Sequence, residues 1–337
     1  MGANRQIVLL RRPSGPPAES DFAARVGPRP ELSAGEVLVR TLTVSVDPAM
    51  RGWLVDGPNY AQPVPVGEPM RSFGLGEVVR SRDPGFRPGE LVVGMTGWQE
   101  WAVLAGTDIQ RRVDPRLAPP STALGVLGIT GLTAYVGMVE IGRPGPGATA
   151  LVSTAAGAVG ATAGQLASIH GARVVGLTGS EQKRRICLDT FGFDAAIDYR
   201  AEPDLAAAIA RECPAGVDIY FDSVGGRTLD AALENVAVGA RIPVCGTISL
   251  PPDGKATGPR FERRLLVQRV RMEGFLATDH LHRLDEVAAR LAAWLADGRL
   301  RHLEEIAPTL DDAPAALVRL LEGRNLGRSL VRVADPA

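Results

Sequence analysis

Cysteine, histidine and lysine are scarce in this chain, and each scarcity excludes something. Among 337 residues there are three cysteines (Cys187, Cys213, Cys245) and four histidines (His170, His280, His282, His302). An odd set of cysteines without C-x-x-C spacing argues against a disulfide framework and a Cys-rich zinc site. All of these cysteines and histidines lie beyond residue 169. The N-terminal region therefore offers neither a usual Cys/His zinc site nor a Cys–His nucleophilic pair, and we expect no metal. No apolar run approaches the roughly eighteen residues of a membrane helix. The N-terminal "IVLL" is too short for a signal peptide. The net charge of −1 gives no general pull toward nucleic acid or anionic membrane. These absences lead us to expect a cytoplasmic protein with no nucleic-acid or membrane partner. Lysine occurs twice among 37 basic residues, at Lys183 and Lys255. Lys183 therefore departs from the chain's preference for arginine.

The length suffices for two domains with a large core. Residues 5–110 read as short β runs separated by Gly and Pro, among them "EVLVRTLTVSVD", "GLGEVV", "ELVVGMTG" and "WQEWAVLA". Residues 121–142, "STALGVLGITGLTAYVGMVEIG", read as a long apolar helix. After the turn "RPGPG", strands such as "ATALVST" and "ARVVGLT" alternate with helical stretches such as "SEQKRRICLDTFG" and "HLHRLDEVAARLAAWLADG". That alternation predicts a doubly wound parallel sheet. The tail, "LVRLLEGRNLGRSLVRV", reads as a helix and then a strand that returns to the first domain.

Within "LVSTAAGAVG" a strand enters a tight turn and then a helix. Gly157 and Gly160 stand where the backbone approaches a pyrophosphate and where helix packs on strand. The first glycine of the G-x-G-x-x-G fingerprint is Ala155 here. With a strand before and a helix after, the turn predicts nucleotide binding; a turn that only packs a helix is the alternative. The next β run ends in "GLTGSEQKR", residues 176–184, where an acid usually accepts from the ribose 2′-OH. Thr178, Gly179 and Ser180 stand there instead, with Lys183 and Arg184 beyond. An acid would repel a 2′-phosphate, whereas small residues and cations suit NADP(H). Glu181 reads as a favourable helix-start contact. The alternative for Lys183 is a solvated helix residue.

Taken in order, "VSVDPAMRGWL", "GVLGITGLTAYVG", "STAAGAVGATAGQLA", "GFDAAIDYR", "DIYFDSVGG", "RIPVCGTIS" and "EGRNLGRSLVRV" resemble the zinc-independent medium-chain dehydrogenase/reductases, specifically the leukotriene/prostaglandin reductase branch in its bacterial form. The resemblance covers nearly the whole chain. It implies an α/β subunit: a GroES-like β domain over 1–125 and 302–337, and a Rossmann domain with a doubly wound parallel sheet over 126–301. It implies NADPH, a homodimer, and hydride transfer to the C=C bond of a small hydrophobic enone or enal. Carried onto this sequence, it implies that Ala156, Gly157, Ala158 and Val159 meet the pyrophosphate. It implies that Lys183 and Tyr199 hold the 2′-phosphate, alongside Gly179 and Ser180 from the strand end. It lines the nicotinamide half with Cys245, Gly246, Thr247, Ile248 and Ser249, and with Phe275, Leu276 and Ala277. It brings Asn325 to the cofactor from the tail.

The departures fall mostly on the substrate side. The family's "DPYMR" is "DPAMR", so Ala49, next to Met50, replaces an active-site tyrosine. Ser223 in "DSVGG" stands where an asparagine usually reaches the cofactor. Val267 aligns with a second tyrosine. The family's "S-x-Y-N" has become "SLPPDG". Charge developing on the substrate carbonyl calls for a hydrogen-bond donor. Tyr60, in "GPNYAQPVPVG", is the catalytic candidate, with loop packing as its alternative role. Trp53, Trp98, Trp101, Met50 and Phe73 supply apolar surface, some for a substrate pocket and some for a core. Reduction of a quinone or of an unsaturated or imine secondary-metabolite intermediate is a second reading of the same site. A catalytically silent NADP-binding protein is the third.

Overall fold

The computed structural model describes residues 2–56, 61–250 and 257–335. The chain divides into two compact units, one of Met1–Leu124 with Glu304–Ala337 and one of Gly125–Leu303. The strands of the first stretch are β1 (Ala3–Leu9), β2 (Phe22–Pro28), β3 (Glu36–Ser45), β4 (Gly74–Ser81), β5 (Leu91–Gly94), β6 (Trp101–Ala105) and β7 (Ile109–Val113). Next come β8 (Thr149–Val152), β9 (Arg173–Thr178), β10 (Ala195–Asp198), β11 (Val217–Phe221), β12 (Val236–Val244) and β13 (Arg271–Gly274), followed by β14 (Glu304–Ala307) and β15 (Arg328–Arg332). The α-helices are α1 (Met50–Trp53), α2 (Ile129–Ala134), α3 (Ala158–Ile169), α4 (Glu181–Arg185), α5 (Leu205–Glu212), α6 (Gly226–Glu234), α7 (Glu262–Gln268), α8 (Leu284–Ala296) and α9 (Ala313–Leu321).

In the first unit β1 and β2 pair antiparallel, and a larger sheet runs β14-β15-β3-β4-β5-β7 with β6 beside β3. The β-branched run of β3 suits a central, pleated position, with Val37, Val39 and Val44 fully buried. The tail does return: after α9, β15 lies antiparallel to β3 with Leu330 opposite Ser45 and Val331 opposite Val44. A core of Ile7, Leu9, Met50, Trp53, Trp98 and Leu317 gathers against them. Met50 and Trp98 are fully buried, and Trp53 nearly so. All three pack into this core. Trp101 is half-buried beneath the Arg29 guanidinium, 3.5 Å from the ring centroid.

In the second unit six parallel strands lie in the order β10-β9-β8-β11-β12-β13. The apolar runs of the inner strands follow from burial on both faces; every residue of β8 is buried. The chain starts at β8, moves out through β9 to β10, and returns to β11 on the other side of β8. This is the doubly wound arrangement that the alternation predicts. The predicted helix over 121–142 is broken instead. A 3-10 turn covers Pro120–Leu124, Gly128 is extended, α2 follows, and Tyr135–Gly142 is π-helical. Within α2 the backbone is crowded against the preceding turn: a Cβ on Gly131 would lie 1.8 Å from the Val126 carbonyl oxygen. The stretch after Ser180 likewise passes from α4 into a π turn, Ile186–Thr190, before Gly192 reverses the chain at φ 68°. Asp204 caps α5 by accepting from the Ala207 amide at 3.0 Å. Helix α6 starts at Gly226, the second of the paired positive-φ glycines Gly225 and Gly226. Among the described residues no helix is long and apolar enough to cross a membrane.

Candidate functional site

The strand order places the switch point between β8 and β11, and ligands of doubly wound sheets bind outside the carboxyl ends of the strands there. Ser153, just past β8, ties the two strand ends together. Its buried Oγ donates to the Phe221 carbonyl at 3.0 Å and accepts from the Ser223 amide at 2.8 Å. The turn that follows is tight. Thr154, and neither Gly157 nor Gly160, carries the left-handed backbone, at φ 47°. A β-branched residue in that region is strained, which is common at ligand sites. The two glycines are required by proximity. A Cβ on Gly160 would lie 2.4 Å from the Thr154 carbonyl oxygen, and one on Gly157 would lie 3.1 Å from it. Gly157 is the N-cap of α3 and no side chain caps that helix end. The start of a twelve-residue helix, with the small residues Ala156, Ala158 and Val159 around it, suits an anion.

The second strand ends as the missing acid suggests, but its cations are distributed differently. Ser180 caps α4, its Oγ accepting from the Lys183 amide at 3.3 Å. The hydroxyl proton remains available to an acceptor. Arg184 is held by Glu181, Nε to Oε2 at 2.6 Å, and Arg185 joins them at 3.0 Å. The two guanidiniums hold the Glu181 carboxyl down at about 2. Glu181 thus meets Arg184 as well as the helix start, and the charge that the sequence offers at Arg184 is already engaged. Tyr199, just past β10, stands beside Gly179: a Cβ on the glycine would lie 3.0 Å from the Tyr199 hydroxyl and 3.2 Å from Arg200 Nε. Arg200 is the cation that sequence reasoning missed. Its position directly after Tyr199 in "AIDYR" was the available signal, but only the pairing of β10 with β9 brings it to Gly179.

Beyond β11 the chain turns sharply through Asp222–Gly226. Asp222 is fully buried. Its Oδ1 accepts from the Tyr220 hydroxyl at 3.0 Å and from the Val224 and Gly225 amides at 2.9 Å each. Burial pushes the Asp222 carboxyl up, against these three donors. The Cys245–Ser249 segment is tied to the same turn. The Cys245 amide donates to the Asp222 carbonyl at 2.7 Å, and both the amide and the hydroxyl of Ser249 donate to the Val224 carbonyl. Burial pushes the Cys245 thiol up to about 12, which disfavours the thiolate. The Ser223 Oγ beside it is buried with no hydrogen-bond partner of normal geometry. A buried Ser223 hydroxyl beside the Cys245 thiol at the switch point, an uncapped helix and a strand end without an acid together fit a dinucleotide. Phe275, after β13, is half-buried, and Leu276 is exposed. A Cβ on Gly137 would meet the rings of Phe275 and Phe221 at 2.6 Å.

The other sequence-derived residues lie on the first unit or apart from this turn. Ala49 precedes α1 and packs against the core that swallows Met50. Asn325 is buried, its Nδ2 donating to the Gly327 carbonyl at 3.0 Å. Val267 is half exposed on α7. Tyr60 lies outside the described residues.

Residues 5–111 match the family described as the N-terminal domain of oxidoreductase, and residues 158–294 match zinc-binding dehydrogenase. The chain is 39% identical to the NADPH-dependent curcumin reductase of Escherichia coli over 98% of its own length and 97% of that protein's. It is 38% identical to the NADP-dependent 2-alkenal reductase of Nicotiana tabacum, covering 98% of each chain. The crystal structure of CurA from Vibrio vulnificus with NADPH superposes with a TM-score of 0.92 at 40% identity, over 98% of this chain and all of that one. Although the second description names zinc, the first 169 residues here hold no cysteine or histidine. The chain belongs to the zinc-independent medium-chain dehydrogenase/reductases, in the branch of the alkenal and prostaglandin reductases.

Proposed function

We propose that the protein is an NADPH-dependent reductase that delivers hydride to the C=C bond of an α,β-unsaturated carbonyl compound without zinc. The observation that carries this reading is the end of β9, where Thr178, Gly179 and Ser180 stand in place of an acid with Lys183, Tyr199 and Arg200 nearby, in a chain similar over its whole length to curcumin and 2-alkenal reductases. Ala156–Val159 receive the pyrophosphate at the start of α3. Ser180, Lys183, Tyr199 and Arg200 hold the 2′-phosphate. Ser223, Cys245–Ser249, Phe275–Ala277 and Asn325 orient the nicotinamide half. When bound, NADPH supplies the hydride, and orientation is the protein's share of the work. Ala49 and Met50 shape the substrate side, with Val267, and Tyr60 is the candidate donor to the carbonyl oxygen. NADPH oxidation followed at 340 nm with 2-alkenals and cyclic enones tests the reading. Turnover with NADPH and loss of the C=C bond in the product are expected. Tight NADPH binding with no acceptor consumed would overturn it.

The same reading includes a homodimer in the cytoplasm. β13 is an edge strand of the parallel sheet, and an unprotected edge presents unpaired backbone groups to another chain. Next to it in sequence, α7 buries none of its residues and exposes Leu266 and Val267. A second copy covering this edge together with the exposed Leu266 and Val267 accounts for both features. Light scattering coupled to gel filtration should give twice the chain mass; a monomer at micromolar concentration would refute the dimer. The three free cysteines suit a reducing compartment.

A further inference from the structure

We propose that Arg328 is a positioning residue for the Asp47–Met50 turn, and through it for the substrate side of the reaction. The inference rests on the reading of Ala49 as substrate-facing. Arg328 opens β15, and its side chain is 6% exposed, against 16% for Asp47. The guanidinium grips both oxygens of Asp47, NH1 on Oδ1 and NH2 on Oδ2 at 3.3 Å. NH1 also reaches the Val46 carbonyl at 3.4 Å, and Nε donates to the Leu124 carbonyl at 2.7 Å. Ser45 Oγ closes the cluster on Asp47 Oδ2 at 2.5 Å. One side chain thus joins segments separated by 281 and 204 residues.

The location gives this clamp its role. The β3–β15 ladder stops at Ser45 opposite Leu330, with one further backbone bond from the Val46 amide to the Ser329 carbonyl at 3.1 Å. There the chain leaves the sheet, and Ala49 follows two residues after Asp47. Local bonds hold the turn from the other side, with the Met50 amide on the Asp47 carbonyl at 3.0 Å. A buried ion pair is a weak source of net stability, because desolvation cancels most of its attraction. What a planar, two-pronged contact supplies is orientation. A lysine ammonium cannot reproduce the fork.

Hydrogen exchange of residues 46–54, read by mass spectrometry on NADPH-saturated protein, tests the clamp together with steady-state kinetics on a 2-alkenal. Asp47→Asn and Arg328→Lys should each speed exchange of the Met50, Arg51 and Gly52 amides at least tenfold. Both should raise the acceptor KM at least fivefold, and Asp47→Asn should leave the NADPH Kd within twofold. Unchanged exchange in both folded variants overturns the proposal. Faster exchange with an unchanged acceptor KM also overturns it, by removing the link to substrate. If the wild type turns over no enone, the proposed activity fails separately, while the exchange result still decides whether Arg328 positions the turn.

Discussion

Asp222→Ala is expected to lower the unfolding free energy by about 3 kcal/mol, and Asp222→Asn by roughly half of that or less. The alanine variant strands three donors at once: the Tyr220 hydroxyl and the Val224 and Gly225 amides. Leaving a buried donor without an acceptor costs about 1–3 kcal/mol, and loss of the buried carboxyl's own desolvation offsets part of the sum. Asparagine keeps the accepting oxygen but places an amide where Oδ2 is buried without a partner. The pH profile adds a signed test. Burial raises the carboxyl's pKa, so the folded state binds this proton more tightly than the unfolded one. The contribution is complete below the ordinary value of 3.8 and is lost as pH rises through the folded value. Wild type should therefore lose stability relative to Asp222→Asn as pH climbs from about 4. Urea titrations of the three proteins across that range measure both effects. Equal stability of the alanine and asparagine variants would show that the three bonds do not hold the turn.

Lys183→Ala should weaken NADPH binding by about 1.5–3 kcal/mol, on the order of ten- to a hundredfold, and leave NADH binding nearly unchanged. A 2′-phosphate presents charge and acceptor oxygens that only the phosphorylated cofactor carries. Arg184→Ala is the control. Its guanidinium is engaged by Glu181, so its removal should shift NADPH affinity by less than about twofold. Fluorescence titration with both cofactors separates these outcomes. Equal losses for NADPH and NADH would mean that Lys183 acts on the fold of α4 and not on a phosphate. A large loss in Arg184→Ala would return that residue to the site.

Periodicity and composition alone carried the β-rich start, the alternating strands and helices, the absence of zinc ligands in the first half and the acid-free strand end. Each is a local property, readable from a few neighbouring residues. The break ahead of α2, at the extended Gly128, was not readable, because a glycine-interrupted apolar run is also compatible with a continuous helix. In "SEQKRR" the i,i+3 and i,i+4 spacing of a helix already pairs Glu181 with Arg184 and Arg185. Tertiary structure alone decided that Arg200 stands beside Gly179. It decided that Thr154 carries the left-handed turn, that Ser153 links β8 to β11, and that Asp222 holds its loop from a fully buried position. It also joined Arg328 to Asp47 across almost the whole chain. The physical reason is common to all of these: the partners of a buried polar group are set by which strands lie side by side, and that order is a long-range property no short stretch of sequence contains.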